Sequence, residues 1–156
     1  MRKLRRQEGT VLPYTAVALA FLVPLAFQMV VALTSLRDLR KEISDAIALS
    51  AVAGLGEASQ ESLFNNTLAL DPAGAERVTR QYMAYNLSYL QGRLAAPYDQ
   101  VVGSLEVTVL AQGGRDPVSG YSWAVPTVHV AGKVPVLVVG QRLELDFHHD
   151  ATLSKP

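Results

Sequence analysis

The stretch that decides the fold is VLPYTAVALAFLVPLAFQMVVAL, residues 11–33. It lies within a run of 28 residues, Gly9 to Leu36, that contains no Asp, Glu, Lys or Arg. As a helix, residues 11–33 extend over about 34 Å, and the hydrocarbon core of a bilayer is about 30 Å thick. The sequence therefore predicts a membrane-spanning helix, which Pro24 is expected to kink near its middle.

The residues that flank this span predict whether it is cleaved and how it is oriented in the membrane. Four of the residues 2–6 are basic, and residues 37–41 hold three basic residues and one acidic residue. The positive-inside rule then favours a cytoplasmic N-terminus. A cleaved secretory signal is the alternative, but it has a shorter apolar region and a cleavage site of small residues. Because TSLRD at residues 34–38 continues a helical pattern instead, we predict an uncleaved anchor.

Composition and short motifs exclude several function classes. The formal net charge is zero, which argues against a nucleic-acid partner, and charged residues are only 18% of the chain. The absence of cysteine excludes thiolate metal sites, thiol nucleophiles and disulfide scaffolds. The chain contains no Gly-rich phosphate loop, HExxH motif or nucleophile elbow. We therefore predict that the protein is not an enzyme, with no catalytic residue and no cofactor.

One cluster has the residue types of a metal site: DFHHD at residues 146–150. On a strand, His148 shares a face with Asp146, whereas His149 points to the opposite face, so the two histidines cannot chelate one ion together. The chain has no second group of ligands with zinc-like spacing. The sequence therefore predicts no metal site.

The predicted helix continues beyond the membrane. Apolar residues recur there at three- and four-residue steps and form one stripe, which predicts a helix–helix packing face; its members are Leu36, Leu39, Ile43, Ile47, Ala51 and Leu55. Small residues between them allow close approach of another helix. Gly54 and Gly56 are expected to end a helix of about 45 residues.

Two segments around the span resemble a known family. RRQEGTV at residues 5–11 and LRKEISDAIALSA at residues 39–51 are similar to the TadE/TadG group, minor pilin-like proteins of the tight-adherence (Flp) type IV pilus system. The resemblance implies a basic leader, a prepilin-peptidase cleavage between Gly9 and Thr10, and a pilin-like fold. The pilin pattern has Glu at the fifth mature position, where this chain has Tyr14. The departure favours a minor subunit or an assembly factor over the major filament subunit.

The resemblance also implies a location and partners. It places the chain as a single-pass protein of the bacterial inner membrane, with its C-terminal domain extracytoplasmic and associated with a pilus. Its partners would be the membrane and other pilin-like subunits or pilus assembly proteins, contacted through the N-terminal helix. The function expected is that of a structural or assembly component of a pilus or related secretion apparatus. The alternative is an unrelated single-pass membrane protein whose outer domain binds a partner or ligand.

The domain organisation follows from these assignments. Residues 1–8 form the leader, residues 9–56 form the membrane and juxtamembrane helix, and residues 57–156 form an extracytoplasmic α+β domain. Within that domain, Asp71 and Pro72 predict the start of a helix of about 22 residues that ends before Pro97. Two neighbouring rows of this helix are expected to form a broad apolar face. The tyrosines of the first row, with Tyr98, are expected to pack in the core and at its rim with their hydroxyls reaching water, and a partner surface is the alternative. The rows are Val78, Tyr82, Tyr85 and Tyr89, and Met83, Leu87, Leu90 and Leu94.

After Pro97 the period changes from helical to two. Strands are predicted at residues 105–109, 121–131, 134–139 and 143–147, with prolines interrupting the middle pair. A helix followed by such a meander predicts an α+β fold in which the helix packs on one face of a three- to four-stranded antiparallel sheet.

Overall fold

A computed structural model describes residues 8–57, 69–116, 118 and 120–153, so the predicted leader lies outside the described residues except for Glu8. The fold is α+β, as predicted. The helices are α1 (Glu8–Gly54), α2 (Pro72–Ser88) and α3 (Tyr98–Ser104), with a short 3₁₀ turn at Gln91–Arg93. The strands are β1 (Glu106–Leu110), β2 (Gly114–Arg115), β3 (Ser122–Trp123), β4 (Thr127–Val138) and β5 (Gln141–Thr152).

The chain divides into two compact units, Met1–Arg37 and Asp38–Pro156. In the first unit, α1 runs through Pro24 without a break, and every side chain from Tyr14 to Val31 is exposed. So many exposed apolar side chains are costly in water and are favourable in lipid. Of the helices in the described ranges, α1 is the one long and apolar enough to cross a membrane, which is consistent with a single-pass membrane protein.

The second unit begins at Asp38 and therefore includes the last part of α1. This part of α1 belongs to the second unit because the apolar stripe packs in its core, where Leu39, Ile43 and Ile47 are at most 1% exposed. At Gly54 the helix passes so close to α2 that a Cβ atom would clash with the Thr79 Oγ1 atom. Glycine is therefore required at this position for the close packing of α1 on α2.

Helix α2 begins as predicted and ends earlier. The Asp71 side chain accepts a hydrogen bond from the Ala73 N–H (3.2 Å), and proline occupies the first helical position. The helix ends at Ser88, and the 3₁₀ turn takes the place of the last part of the predicted 22-residue helix, whereas α3 is a short helix after Pro97 that the sequence did not predict. Of the two predicted rows, Met83 and Leu87 are fully buried. The expected burial of the tyrosine row is wrong, because α2 rests on the neighbouring face; its exposed members are Tyr82, Tyr85 and Tyr89.

The main sheet is antiparallel with strand order β1-β4-β5, and β2 and β3 form a separate two-stranded sheet. Strand β4 is one continuous strand that includes Pro135, where the sequence predicted two shorter strands. The Pro135 carbonyl accepts a hydrogen bond from the Ala95 N–H (2.9 Å). Because the N and C=O groups of one strand residue point to the same side, the missing N–H of Pro135 faces away from β5 and removes no bond of that ladder.

The core lies between the helices and one face of this sheet. Every second residue of β4 points into it, and β5 adds Phe147 from the same face. The valines that form this face of β4 are Val128, Val130, Val134, Val136 and Val138.

The contribution of α1 to this core can be tested with a matched pair. Ile43→Ala should lower the free energy of unfolding of the second unit by about 2–5 kcal/mol, because it leaves a cavity at a fully buried site. Leu49→Ala, on the same helix and 64% exposed, should change it by no more than about 0.5 kcal/mol. The measurement is urea unfolding of the full chain in detergent micelles, followed by near-UV circular dichroism. Equal losses for both variants would contradict the assignment of Ile43 to the core.

Candidate functional site

The predicted packing stripe lies largely within the chain's own core. Four of its six members are buried in the second unit, and the remaining two, Leu36 and Leu55, are half-buried; the buried four are Leu39, Ile43, Ile47 and Ala51. These four residues pack intramolecularly. The backbone of Gly9 and Thr10, the predicted cleavage pair, is helical within α1.

A different face of α1 remains exposed in the second unit. Leu49 and Val52 are both more than half exposed. Beside Leu49, a shallow groove has Ala46 and Leu90 among its lining residues, together with Glu42, which forms an ion pair with Arg93, and Asp45. This groove offers a contact surface with both apolar and charged side chains.

Two of the exposed tyrosines on α2 form a hydrogen-bonded pair. The Tyr89 hydroxyl donates to the Tyr85 hydroxyl (2.6 Å), and the two rings meet edge to face with centroids 5.1 Å apart. Loss of the Tyr89 proton would break this bond, so the bond raises the pKa of Tyr89 above its ordinary value of 10.0, with smaller contributions from desolvation and from the charge of Tyr85.

The pair predicts a pH dependence. Because the pKa of Tyr89 is raised, its hydroxyl stays protonated to higher pH than an ordinary tyrosine, and Tyr85→Phe should lower that pKa. Titration of the Tyr89 ring signals by NMR measures the change. Tyr82→Phe, about two turns from Tyr89, is the control and should leave the titration of Tyr89 unchanged. An equal shift in both variants would argue against the hydrogen bond as the cause.

A cluster of two histidines and two aspartates lies on the face of the sheet opposite the core. The register of β4 and β5 pairs His129 with Asp150 and Ala131 with His148, so these side chains share one face. Asp116 reaches them from the turn between β2 and β3. We refer to these four residues as the His/Asp cluster.

Short distances connect all four members. The His129 Nδ1 atom lies 2.7 Å from the Asp150 Oδ1 atom and 3.5 Å from the Asp116 Oδ1 atom. The His148 Nε2 atom lies 3.2 Å from the Asp116 Oδ2 atom and 3.6 Å from the Asp150 Oδ2 atom. The two imidazole rings meet at an angle of 61° with centroids 4.6 Å apart. Both rings therefore direct one nitrogen towards the same pair of carboxylates.

The cluster is buried at its base and open at one side. The side chains of Asp116 and His129 are fully buried, whereas that of Asp150 is 17% exposed and that of His148 is 38% exposed. The turn that carries Asp116 is fixed by its own hydrogen bonds. The Asp116 N–H donates to the Tyr121 carbonyl (2.8 Å), and the Val118 N–H donates to the Asp116 Oδ1 atom (2.9 Å). These bonds help to fix the position of the Asp116 carboxylate.

Two members of the cluster, His148 and Asp150, belong to the DFHHD segment that the sequence singles out, whereas Asp116 and His129 lie outside it. His149 is paired with Val130 on the core side of the sheet, as strand alternation predicts, and it takes no part in the cluster. Asp116 and His129 were missed because they lie 32 and 21 residues before their partners. The available signal was His129 itself, a polar residue between two valines in an apolar strand. Its burial requires a polar partner.

Comparison of the chain with known protein families, with curated proteins and with solved structures finds no match.

Proposed function

We propose that this protein is a membrane-anchored, pilin-like structural or assembly component of a bacterial type IV pilus of the Tad/Flp kind, or of a related secretion apparatus. The observation that carries the proposal is α1, a single helix of 47 residues. Its first part exposes an apolar surface suited to lipid, and its last part contributes buried side chains to the core of a folded α+β unit. A helix that serves both purposes is what a pilin-like subunit requires.

The proposed location is the bacterial inner membrane, with the C-terminal domain outside the cytoplasm. The basic residues before the apolar span support this orientation, since positively charged flanks are retained on the cytoplasmic side. In this arrangement the second unit folds in the extracytoplasmic space, where the absence of cysteine makes it independent of oxidation.

The proposed partners are other pilin-like subunits or assembly proteins. Since four members of the apolar stripe are occupied by the core, the contact is assigned to the exposed side of α1 around Leu49 and Val52. A low copy number is proposed because Tyr14 stands where a carboxylate would pair with the new amine of a chain cleaved after Gly9. An unpaired charge in an apolar filament core is costly.

A second candidate function is an unrelated single-pass membrane protein whose outer domain binds a ligand. The buried His/Asp cluster is the observation that favours it, because a pilin-like subunit needs no such group.

The membrane span predicts a sharp effect of charge. Leu22→Arg should abolish stable insertion or shift the span, because an Arg at the centre of a membrane helix costs about 2.5–3.5 kcal/mol. Leu49→Arg places the same charge at a leucine outside the span. It is the matched control and should leave the chain in the membrane. Carbonate extraction and protease accessibility of spheroplasts provide the measurement. Identical fractionation of the two variants would contradict the assigned span.

The partner face can be mapped by cross-linking, since the chain has no native cysteine. Leu49→Cys should form adducts with a pilin-like chain when membranes are treated with a maleimide–benzophenone cross-linker and irradiated, because the maleimide bonds to the new thiol and the benzophenone inserts into a C–H bond of whatever lies on the proposed contact face. Gln100→Cys, exposed on α3, is the control and should form none.

Quantification of this protein in sheared filaments should find few copies per filament, and recovery of it as the dominant filament protein would overturn the assigned role.

A further inference from the structure

The geometry points to a binding site for a divalent transition-metal ion of the Zn²⁺ type at Asp116, His129, His148 and Asp150. The inference is independent of the proposed function, since it depends only on the sheet and on the turn between β2 and β3.

The spacing of the four side chains fits tetrahedral coordination. Zinc bonds to imidazole nitrogen and carboxylate oxygen of about 2.0–2.1 Å place neighbouring ligand atoms about 3.3 Å apart in a tetrahedron. The four nitrogen–oxygen distances in the cluster range from 2.7 to 3.6 Å. One ligand atom from each residue can be chosen so that all four lie within 4.8 Å of one another. Small side-chain adjustments would bring them to a common ion.

The charges of the cluster also suit a divalent cation. Two carboxylates and two neutral imidazoles carry a total charge of −2, which one divalent ion cancels. The competing arrangement places a proton on each imidazole and forms ion pairs without a metal. Carboxylates that share a site repel each other unless a cation lies between them, and the cluster directs both Asp116 and Asp150 towards the same two ring nitrogens. A single ion at that centre contacts all four groups at once.

The donor set selects the class of metal. Two nitrogens and two oxygens suit Zn²⁺ and its first-row neighbours, for which imidazole is a preferred ligand. Mg²⁺ and Ca²⁺ prefer sites made of oxygen ligands alone, so they should bind weakly here. Four protein ligands fill a tetrahedral shell, which is typical of a structural zinc site rather than a catalytic one with an open position.

The surroundings of His129 limit the affinity. Its Nδ1 atom faces the carboxylates, so coordination through this atom requires the proton to be on the Nε2 atom. That Nε2 atom is buried without a hydrogen-bond partner among the described residues. Metal-binding histidines usually donate their second N–H to another group, and sites that lack this partner bind more weakly. The partly exposed His148 marks the side from which the ion enters.

The consequence for the domain is a cross-link between separate elements. Asp116 belongs to the turn between β2 and β3, whereas the other three ligands belong to β4 and β5. An ion bound to all four would fix this turn on the outer face of the sheet. Because the unfolded chain has no preformed site, binding should stabilise the folded state.

The experiment uses the full chain in detergent micelles, without a polyhistidine tag and stripped of metal by a chelator. Dialysis against Zn²⁺ should yield one ion per chain, and the thermal unfolding midpoint should rise with Zn²⁺ but not with Mg²⁺. X-ray absorption should show nitrogen and oxygen ligands at about 2.0–2.1 Å.

A matched pair of variants decides whether this cluster is the site. His148→Gln should lower zinc affinity by about 100-fold or more, since loss of even an outer partner of a metal ligand typically costs 10–100-fold. His149→Gln, the neighbouring residue on the opposite face, should keep the wild-type affinity. Asp150→Asn offers a second ligand variant of unchanged size, with circular dichroism to verify folding. A wild-type chain that binds no stoichiometric zinc, or equal affinities in the His148 and His149 variants, overturns the inference.

Discussion

The structure depends on a change of environment along one helix. From Tyr14 to Val31 the side chains of α1 are exposed on every face, whereas from Leu39 onward a single face is buried. The first pattern is stable only where water is excluded, and the second requires a folded partner surface. Because one covalent helix meets both demands, the second unit incorporates the last part of α1, and its core is incomplete without Leu39, Ile43 and Ile47.

Features that depend on local chemistry could be predicted from the sequence. The apolar run of α1, its end at Gly54 and the start of α2 at Asp71 each depend on neighbouring residues alone. Features that depend on distant contacts could not. The tyrosines of α2 satisfy a helical apolar pattern, yet α2 rotates its neighbouring row, which includes Met83 and Leu87, into the core. Periodicity identifies an amphipathic helix more reliably than it identifies which of two adjacent rows is buried.

The contrast between local and distant contacts also explains why β4 continues through Pro135. Prolines usually end or border strands, so Pro135 argued for a break. In the structure the missing N–H faces the segment after α2, whose Ala95 N–H donates to the Pro135 carbonyl. The tolerance of proline in this strand therefore depends on a neighbour about 40 residues away (Ala95 to Pro135), which no local pattern contains.

The first half of β4 unites the core with the His/Asp cluster. All residues from Thr127 to Ala131 are buried, so both faces of the strand are covered there. On one face of the strand, Val128 and Val130 pack in the apolar core. On the other face, His129 lies against the carboxylates of Asp116 and Asp150. An isolated imidazole at that position would lose its hydration without compensation. The two carboxylates supply the compensation, which explains why a strand that reads as continuously apolar can accommodate a histidine at its centre.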